Sequence, residues 1–356
     1  MNDCYKALAK KLDQIPNGYP ATESGVELKL LAKLFTEEEA HLASMMSHKF
    51  ETIQTISENN NLEQPEVKAM LVGMVKKGLI DMKKEDGVGI TFGLIPFVVG
   101  FYEKQNARID KEFAELFEAY YKEAFYMVML AKPSVHRIIP VERTIPVNID
   151  VMHYEKASSY IDEAKSWGVL DCICRVQQRL IGQGCGHPVE NCLAFSPRPG
   201  HFDRTDDIRA ISKEEALDIL EEANKAGLVH STNNAQNEVH YICNCCTCSC
   251  GVLRTMVDFG NEYSMARSDF YTRVDEDICS GCETCLDRCQ FNALVMNNGI
   301  CSVIETNCFG CGLCVTSCPE EALSMVQKNP KEIIPPPENN DAWREIRERE
   351  RTKINS

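Results

Sequence analysis

Arginine is absent from the first 100 residues of this 356-residue chain, and the whole chain carries a net charge of −15. Nucleic-acid-binding proteins usually present a basic face rich in arginine and lysine. The composition therefore argues against a general nucleic-acid-binding protein. The same acidic charge favours electrostatic docking to a more basic protein partner.

Long hydrophobic runs are also missing. The longest candidate, residues 90–101, is shorter than the roughly 20 apolar residues that a membrane span requires. The chain starts Met-Asn-Asp-Cys-Tyr-Lys, which lacks the basic and apolar stretches of a signal peptide, so we expect a cytoplasmic protein without a membrane span. Motifs for nucleotide binding and acyl transfer are missing as well, and we assign no catalytic residue.

Cysteine is the residue that the chain has in excess, with 19 in all. Eight of them form two C-x2-C-x2-C-x3-C runs, which begin 29 positions apart at Cys279 and Cys308. Bacterial ferredoxins bind [4Fe–4S] clusters with this spacing. Zinc sites usually use two C-x2-C pairs, and disulfides suit secreted proteins. Residues 275–327 therefore resemble a two-cluster ferredoxin module, which implies single-electron transfer.

In such ferredoxins the fourth cysteine of each run binds the cluster of the other run. The resemblance thus implies two crossed ligand sets: Cys279, Cys282, Cys285 and Cys318 for cluster one, and Cys308, Cys311, Cys314 and Cys289 for cluster two. Gly281, Gly310 and Gly312 suit loops with unusual dihedral angles. Gln290 departs from the pattern, because the family has a proline after the fourth cysteine, as at Pro319.

Nine further cysteines occupy the middle of the chain and predict one or two additional metal sites. The first four could form one site: Cys172, Cys174, Cys185 and Cys192. The other five crowd into eight positions: Cys243, Cys245, Cys246, Cys248 and Cys250. A third or fourth [4Fe–4S] cluster is one interpretation, and zinc, helped by the nearby His187, His230 and His240, is the alternative. We expect Cys4 and Cys301 not to be ligands, although Cys301 lies between the two runs, where a thiol could modulate a cluster.

Residues 1–104 resemble a winged-helix domain. A capping box at Thr36–Glu39 predicts one helix, and apolar residues at helical spacing predict another from Gln64 to Lys77. A turn at Asp86-Gly87 between two short apolar segments predicts a β-hairpin. Because the last helix before the hairpin has no arginine, the residue that most often makes specific base contacts, we expect a scaffold that contacts protein rather than DNA.

The remaining patterns predict one long helix over residues 101–130, an extended linker from His136 to Val147, a helix opened by Ser212, a Pro-rich spacer and a charged helix from Asp341 to Lys353. We therefore predict an α+β protein whose cysteine-rich middle domain is α/β. The predicted domains are 1–104 (winged-helix-like), 105–144 (long helix and linker), 145–265 (middle domain), 266–327 (two-cluster ferredoxin) and 328–356 (spacer and tail).

The whole combination is similar to ferredoxin-like proteins of strict anaerobes. It implies an iron–sulfur electron-transfer protein that serves as a subunit or partner of a larger oxidoreductase, rather than an enzyme by itself. Two alternatives stay open. One is a redox-sensing winged-helix transcription regulator, and the other is an iron–sulfur oxidoreductase with its catalytic centre in the middle domain.

Overall fold

The computed structural model describes residues 3–146, 151–205 and 207–354. Helices make up 42% of the structure and strands 18%, so the fold is of the mixed α+β kind that the sequence predicts. The chain divides into two compact units. One comprises Met1–Val128, Gln177–Gln183 and Arg351–Ser356, and the other comprises Met129–Val176 and Gly184–Glu350.

The first unit begins with helices and ends in a small sheet and one further helix. Its elements are α1 (Asp3–Asp13), α2 (Val26–Leu34), α3 (Glu37–Met45), β1 (Glu51–Thr52), α4 (Ile53–Asn60), α5 (Gln64–Lys76), β2 (Ile80–Glu85), β3 (Gly89–Leu94) and α6 (Lys111–Glu123). The three strands form an antiparallel sheet in the order β1-β3-β2. The predicted capping box at Thr36–Glu39, the helix from Gln64 and the hairpin are all confirmed.

The predicted long helix over residues 101–130 is wrong. The helix in this region, α6, begins after Asp110, whose carboxylate accepts a hydrogen bond from the backbone N–H of Phe113 at 2.8 Å. It ends at Ala124, where the backbone leaves the helical region. An N-cap residue inside an apolar pattern thus shortened the helix. The aromatic side chains of the stripe still pack in the core, as predicted: Phe113, Phe117, Tyr120, Tyr121 and Phe125.

The second unit is built on a seven-stranded sheet followed by two small two-stranded sheets. Its elements are β4 (His136–Ile138), α7 (Ala157–Glu163), β5 (Ser166–Asp171), α8 (Ile173–Leu180), β6 (Glu190–Ser196), β7 (Arg209–Ile211), α9 (Lys213–Lys225), β8 (Val229–Asn233), β9 (Tyr241–Cys245), α10 (Gly251–Phe259), β10 (Met265–Ala266), β11 (Phe270–Val274), α11 (Thr284–Arg288), β12 (Leu294–Asn297), β13 (Ile300–Val303), α12 (Leu313–Ser317), β14 (Leu323–Gln327) and α13 (Asn340–Ile354). Helix α8 from Gln177 and helix α13 from Arg351 group with the first unit.

Several predictions for this region are confirmed. The Ser212 hydroxyl accepts from the Glu215 amide and opens α9, and α13 covers the predicted charged helix. The predicted linker from His136 contains β4 and a short turn at Glu142–Thr144, and its last residue, Val147, lies outside the described residues.

The two faces of the large sheet carry different chemistry. The strand order is β10-β4-β8-β9-β6-β5-β7, with Leu193 of β6 opposite Ile242 of β9. Both side chains belong to an apolar core shared with Tyr160, Ile161 and Ala216 of the covering helices. Because side chains alternate along a strand, the neighbouring residues point to the opposite face: Cys192, Cys243 and Cys245. Strand periodicity therefore gathers three thiols on one face of the sheet.

Candidate metal centres

The eight cysteines of the two runs line two cavities. The first is lined by Cys279, Cys282, Cys285 and Cys318. The second is lined by Cys289, Cys308, Cys311 and Cys314. In each cavity three thiols come from one run and the fourth from the other. This is the crossed grouping that the ferredoxin resemblance implies.

The crossing follows from a repeated fold. The segment β11-α11-β12 and the segment β13-α12-β14 each place two cysteines in a loop before a short helix and a third in the helix itself. Strand β11 pairs with β14, and β12 pairs with β13. The loops match in backbone conformation: Gly281 and Gly310 both have positive φ, near 70°. A Cβ at either glycine would collide with a backbone carbonyl oxygen. Gly281 and Gly310, two of the three glycines that the sequence singles out, are therefore required by close packing of the loops.

The donors around each cavity fit an iron–sulfur cluster. Backbone amides donate to ligand sulfurs at equivalent positions, from Ala293 to Cys289 and from Ala322 to Cys318, both at 3.3 Å. Burial raises the pKa of the Cys314 thiol to about 12 and raises the pKa of Cys289 as well. Thiolates in so apolar a space need a cationic partner, which a metal centre supplies.

A fifth thiol lines the first cavity. Cys301 is buried, and its Sγ lies 3.6 Å from the Sγ of Cys285. In the second cavity the Oγ1 of Thr272 lies 3.4 Å from the Sγ of Cys314. The two pairs are equivalent under the 29-residue repeat. An alignment of the two repeats in the sequence would have shown that Cys301 stands where the other repeat has Thr272.

Gln290, which replaces the expected proline, has a specific set of partners. Its side-chain oxygen accepts hydrogen bonds from the backbone amide of Thr247 at 3.1 Å and from the Thr247 hydroxyl at 2.7 Å. Its side-chain nitrogen donates to the carbonyl of Gly227 at 2.9 Å. The residue beside Cys289 thus ties the second cysteine cavity to the segment that holds Cys246 and Cys248.

Six of the nine middle cysteines form a closed ring of thiols, in which each thiol influences the pKa of two others. The order around the ring is Cys172, Cys174, Cys250, Cys245, Cys243, Cys192 and back to Cys172. Three of these thiols come from the sheet face described above. The others come from the end of β5 and the starts of α8 and α10. We call this group the six-thiol ring.

The pKa values of the thiols in the ring depend on one another. The hydrogen bond between Cys172 and Cys174 lowers the pKa of the first and raises the pKa of the second. Such a buried set of sulfur donors fits soft metal ions or iron–sulfur centres.

The other three middle cysteines form a separate group with one histidine. The ligand atoms of Cys185, His187, Cys246 and Cys248 all lie within 4.8 Å of one another. The sequence placed Cys185 with the cysteines at 172, 174 and 192, but the structure separates it from them. His230, a second candidate for zinc, instead hydrogen-bonds the side-chain oxygen of Asn244 at 2.6 Å. We call this group the Cys3His cluster.

Arg175 lies between the two groups and was missed by the sequence analysis. Only 1% of its surface is exposed, and its guanidinium donates to the Pro188 carbonyl at 2.8 Å and the Asn191 side chain at 2.7 Å. It also reaches Cys246, and the nearby Cys172 helps to raise its pKa. Within the described residues its acceptors are carbonyl, amide and thiol groups, so deprotonated, metal-bound cysteines would supply its negative counter-charge. The sequence signal was its place directly after Cys172-Ile-Cys174.

Comparison with known proteins identifies one part of the chain. A family model described as a 4Fe-4S binding domain matches residues 302–324, which contain the second cysteine run. No curated protein and no solved structure matches this chain. In the described residues no helix has both the length and the apolar character needed to cross a membrane. The match and the cysteine groups together support an iron–sulfur protein.

Proposed function

We propose that the protein transfers single electrons through two [4Fe–4S] clusters in residues 275–327, as a carrier or subunit beside a larger oxidoreductase. Cys279, Cys282, Cys285 and Cys318 would hold the first cluster, and Cys289, Cys308, Cys311 and Cys314 the second. The observation that carries this proposal is the crossed grouping of these eight cysteines around two cavities. The matched 4Fe-4S binding domain supports the second run directly.

When bound, such clusters accept and release one electron at a time. The chain itself contributes geometry, hydrogen bonds and exclusion of water. The amides of Ala293 and Ala322 donate to ligand sulfurs, which favours the more negatively charged reduced state. Phe291 stacks on Phe309 with ring centroids 4.6 Å apart beside the second cavity, and the two rings limit access of water.

The six-thiol ring supports a third redox centre. Its donors are all sulfur, and iron–sulfur centres are bound by thiolates. The Gln290 side chain connects the loop of Cys289 to the segment that includes Cys250 of the ring. Electrons would therefore pass between the module and the ring, with zinc in the ring as the alternative.

For the N-terminal region we propose a winged-helix domain that contacts protein. The order of helices and the β1-β3-β2 sheet support this topology. The hairpin exposes three apolar side chains, each more than half accessible: Met82, Val88 and Ile90. The same hairpin exposes Lys83 and Lys84, but its exposed apolar side chains suit a protein partner.

Metal analysis of anaerobically prepared protein tests the main proposal. We expect about eight iron and eight sulfide per chain from the module, and about twelve or more if the ring also holds a cluster. Cys282→Ser removes an exposed ligand and should lower the iron content and the cluster EPR signal, whereas Cys4→Ser should leave both unchanged. Full iron content in Cys282→Ser, or zinc in place of iron in the wild type, would contradict the proposal.

A DNA-binding assay separates the scaffold from the regulator. In anaerobic fluorescence anisotropy at low salt we expect no binding to promoter fragments at about 10 µM protein, in either redox state. Non-specific binders have dissociation constants of about 1–100 µM even at physiological salt. Binding that changes on oxidation would favour the transcription regulator instead.

A further inference from the structure

The Cys3His cluster is formed by two loops. Cys185 and His187 lie in the loop between α8 and β6, and Cys246 and Cys248 lie in the loop between β9 and α10. The second loop is a tight turn, because the amides of Ser249 and Cys250 both donate to the carbonyl of Cys246, at 3.3 and 3.0 Å. This turn brings two thiols that are two residues apart to one point.

The spacing of the ligand atoms fits a single ion. Zinc–sulfur bonds of about 2.3 Å in a tetrahedron place two sulfurs about 3.8 Å apart. The Sγ atoms of Cys185 and Cys246 are 3.9 Å apart, and all four ligand atoms lie within 4.8 Å of one another. In a [4Fe–4S] cluster each thiolate lies outside its own iron atom, so the sulfurs stand farther apart. The Cys3His cluster is therefore too compact for a cubane.

The surrounding groups complete such a site. A zinc ion with three thiolates and one neutral imidazole has a net charge of −1, which the buried guanidinium of Arg175 balances through its contact with Cys246. The His187 ring hydrogen-bonds the carbonyl of Ala226, and the Ser249 hydroxyl lies 3.4 Å from the Sγ of Cys185. Metal-binding histidines and thiolates commonly have such outer partners.

We propose that Cys185, His187, Cys246 and Cys248 bind one zinc ion that holds the two loops together. Protein side chains fill all four positions, which is typical of structural rather than catalytic zinc. The ion would fix the segment that leads into Cys250 and so would position one side of the six-thiol ring. The proposal does not depend on the electron-transfer function.

Metal analysis and X-ray absorption of the full chain, produced with both iron and zinc supplied, test the proposal. We expect about one zinc per chain, with three sulfurs at about 2.3 Å and one nitrogen at about 2.0–2.1 Å. Cys248→Ser, at an exposed ligand, should lose the zinc and keep the iron and sulfide of the module. Cys4→Ser is the matched control and should keep both metals.

His187→Cys provides a second variant with the ligand number preserved. This variant should keep about one zinc, and the ligand shell of the zinc should change to four sulfurs. The result can be read even if Cys248→Ser does not accumulate as folded protein. Iron at this site, a wild-type shell without nitrogen, or full zinc in Cys248→Ser would overturn the proposal. A wild-type chain that contains zinc but no iron would count against the electron-transfer function and would still support the zinc site.

Discussion

The side-chain oxygen of Gln290 accepts hydrogen bonds from both the backbone amide and the hydroxyl of Thr247. Gln290 follows a predicted ligand of the second cluster, and Thr247 lies between two ligands of the proposed zinc site. The position that departs from the ferredoxin pattern thus joins the module to the cysteine-rich part of the same unit. Proline could not make these bonds, because its side chain has no polar group.

Replacing Gln290 tests this connection. Gln290→Leu keeps the size of the side chain and removes three hydrogen bonds, each worth about 0.5–1.5 kcal/mol. We expect faster hydrogen exchange at the Thr247 amide, by roughly tenfold or more, with unchanged iron content. Gln54→Leu, at an exposed position in the first unit, is the control. Unchanged exchange at Thr247 would show that the bonds contribute nothing.

The repeat-related pair Thr272 and Cys301 predicts opposite effects on the two proposed clusters. A hydroxyl is a stronger hydrogen-bond donor than a thiol, and donors to ligand sulfur favour the reduced state. Cys301→Thr should therefore raise one midpoint potential and Thr272→Cys should lower the other. A difference of about 0.5–1 kcal/mol corresponds to shifts on the order of 20–40 mV.

Anaerobic redox titration followed by EPR measures both potentials. The double variant should carry both shifts, since each residue contacts a ligand of a different cavity. If the two single variants moved the same midpoint, the assignment of Cys301 and Thr272 to separate clusters would be wrong.

Arg175 should stabilise the metal sites on either side of it. Arg175→Gln removes a buried positive charge that faces Cys246 and Cys172. Loss of an outer partner typically weakens metal binding by about 10–100-fold. We expect faster transfer of zinc to a chromogenic chelator, whereas the exposed Arg273→Gln should behave as wild type. Equal transfer rates in both variants would leave Arg175 with a packing role only.

A buried carboxyl predicts how stability depends on pH. Glu155 is 2% exposed, its Oε1 lies 3.4 Å from Nη1 of Arg137, and Asp269 and Lys328 are close by. Burial raises the pKa of Glu155 to about 8. In the unfolded chain the carboxyl ionises near its ordinary pKa, so between these two values the unfolded state binds fewer protons and stability falls as pH rises.

The Gln variant isolates this contribution. From pH 5 to pH 8 the wild type should lose stability on the order of 2–4 kcal/mol through Glu155, and Glu155→Gln should lack this part of the slope. The measurement is the anaerobic unfolding rate in guanidinium at each pH, which reports kinetic stability even where unfolding is irreversible. Parallel pH profiles for the two proteins would show that Glu155 is ionised in the folded state across this range.

The sequence by itself determined the features that depend on local spacing. The two cysteine runs, the loop glycines, the capping box at Thr36 and the hairpin around Gly87 each lie within a few residues, where backbone geometry follows directly from residue type. The matched 4Fe-4S binding domain contains the second run. The long helix over 101–130 failed because Asp110 caps a helix within this stretch and the backbone leaves the helical region at Ala124.

Tertiary structure alone decided how the nine middle cysteines divide. Cys185 is near the other early cysteines in sequence, yet its loop meets the turn that holds Cys246 and Cys248. The other three early cysteines instead join the thiols from β9 and from the start of α10: Cys172, Cys174 and Cys192. Strand alternation and pairing between distant segments set this grouping, and the spacing of the cysteines along the sequence does not reveal which segments pair. The partners of Gln290 and Arg175 were hidden for the same reason.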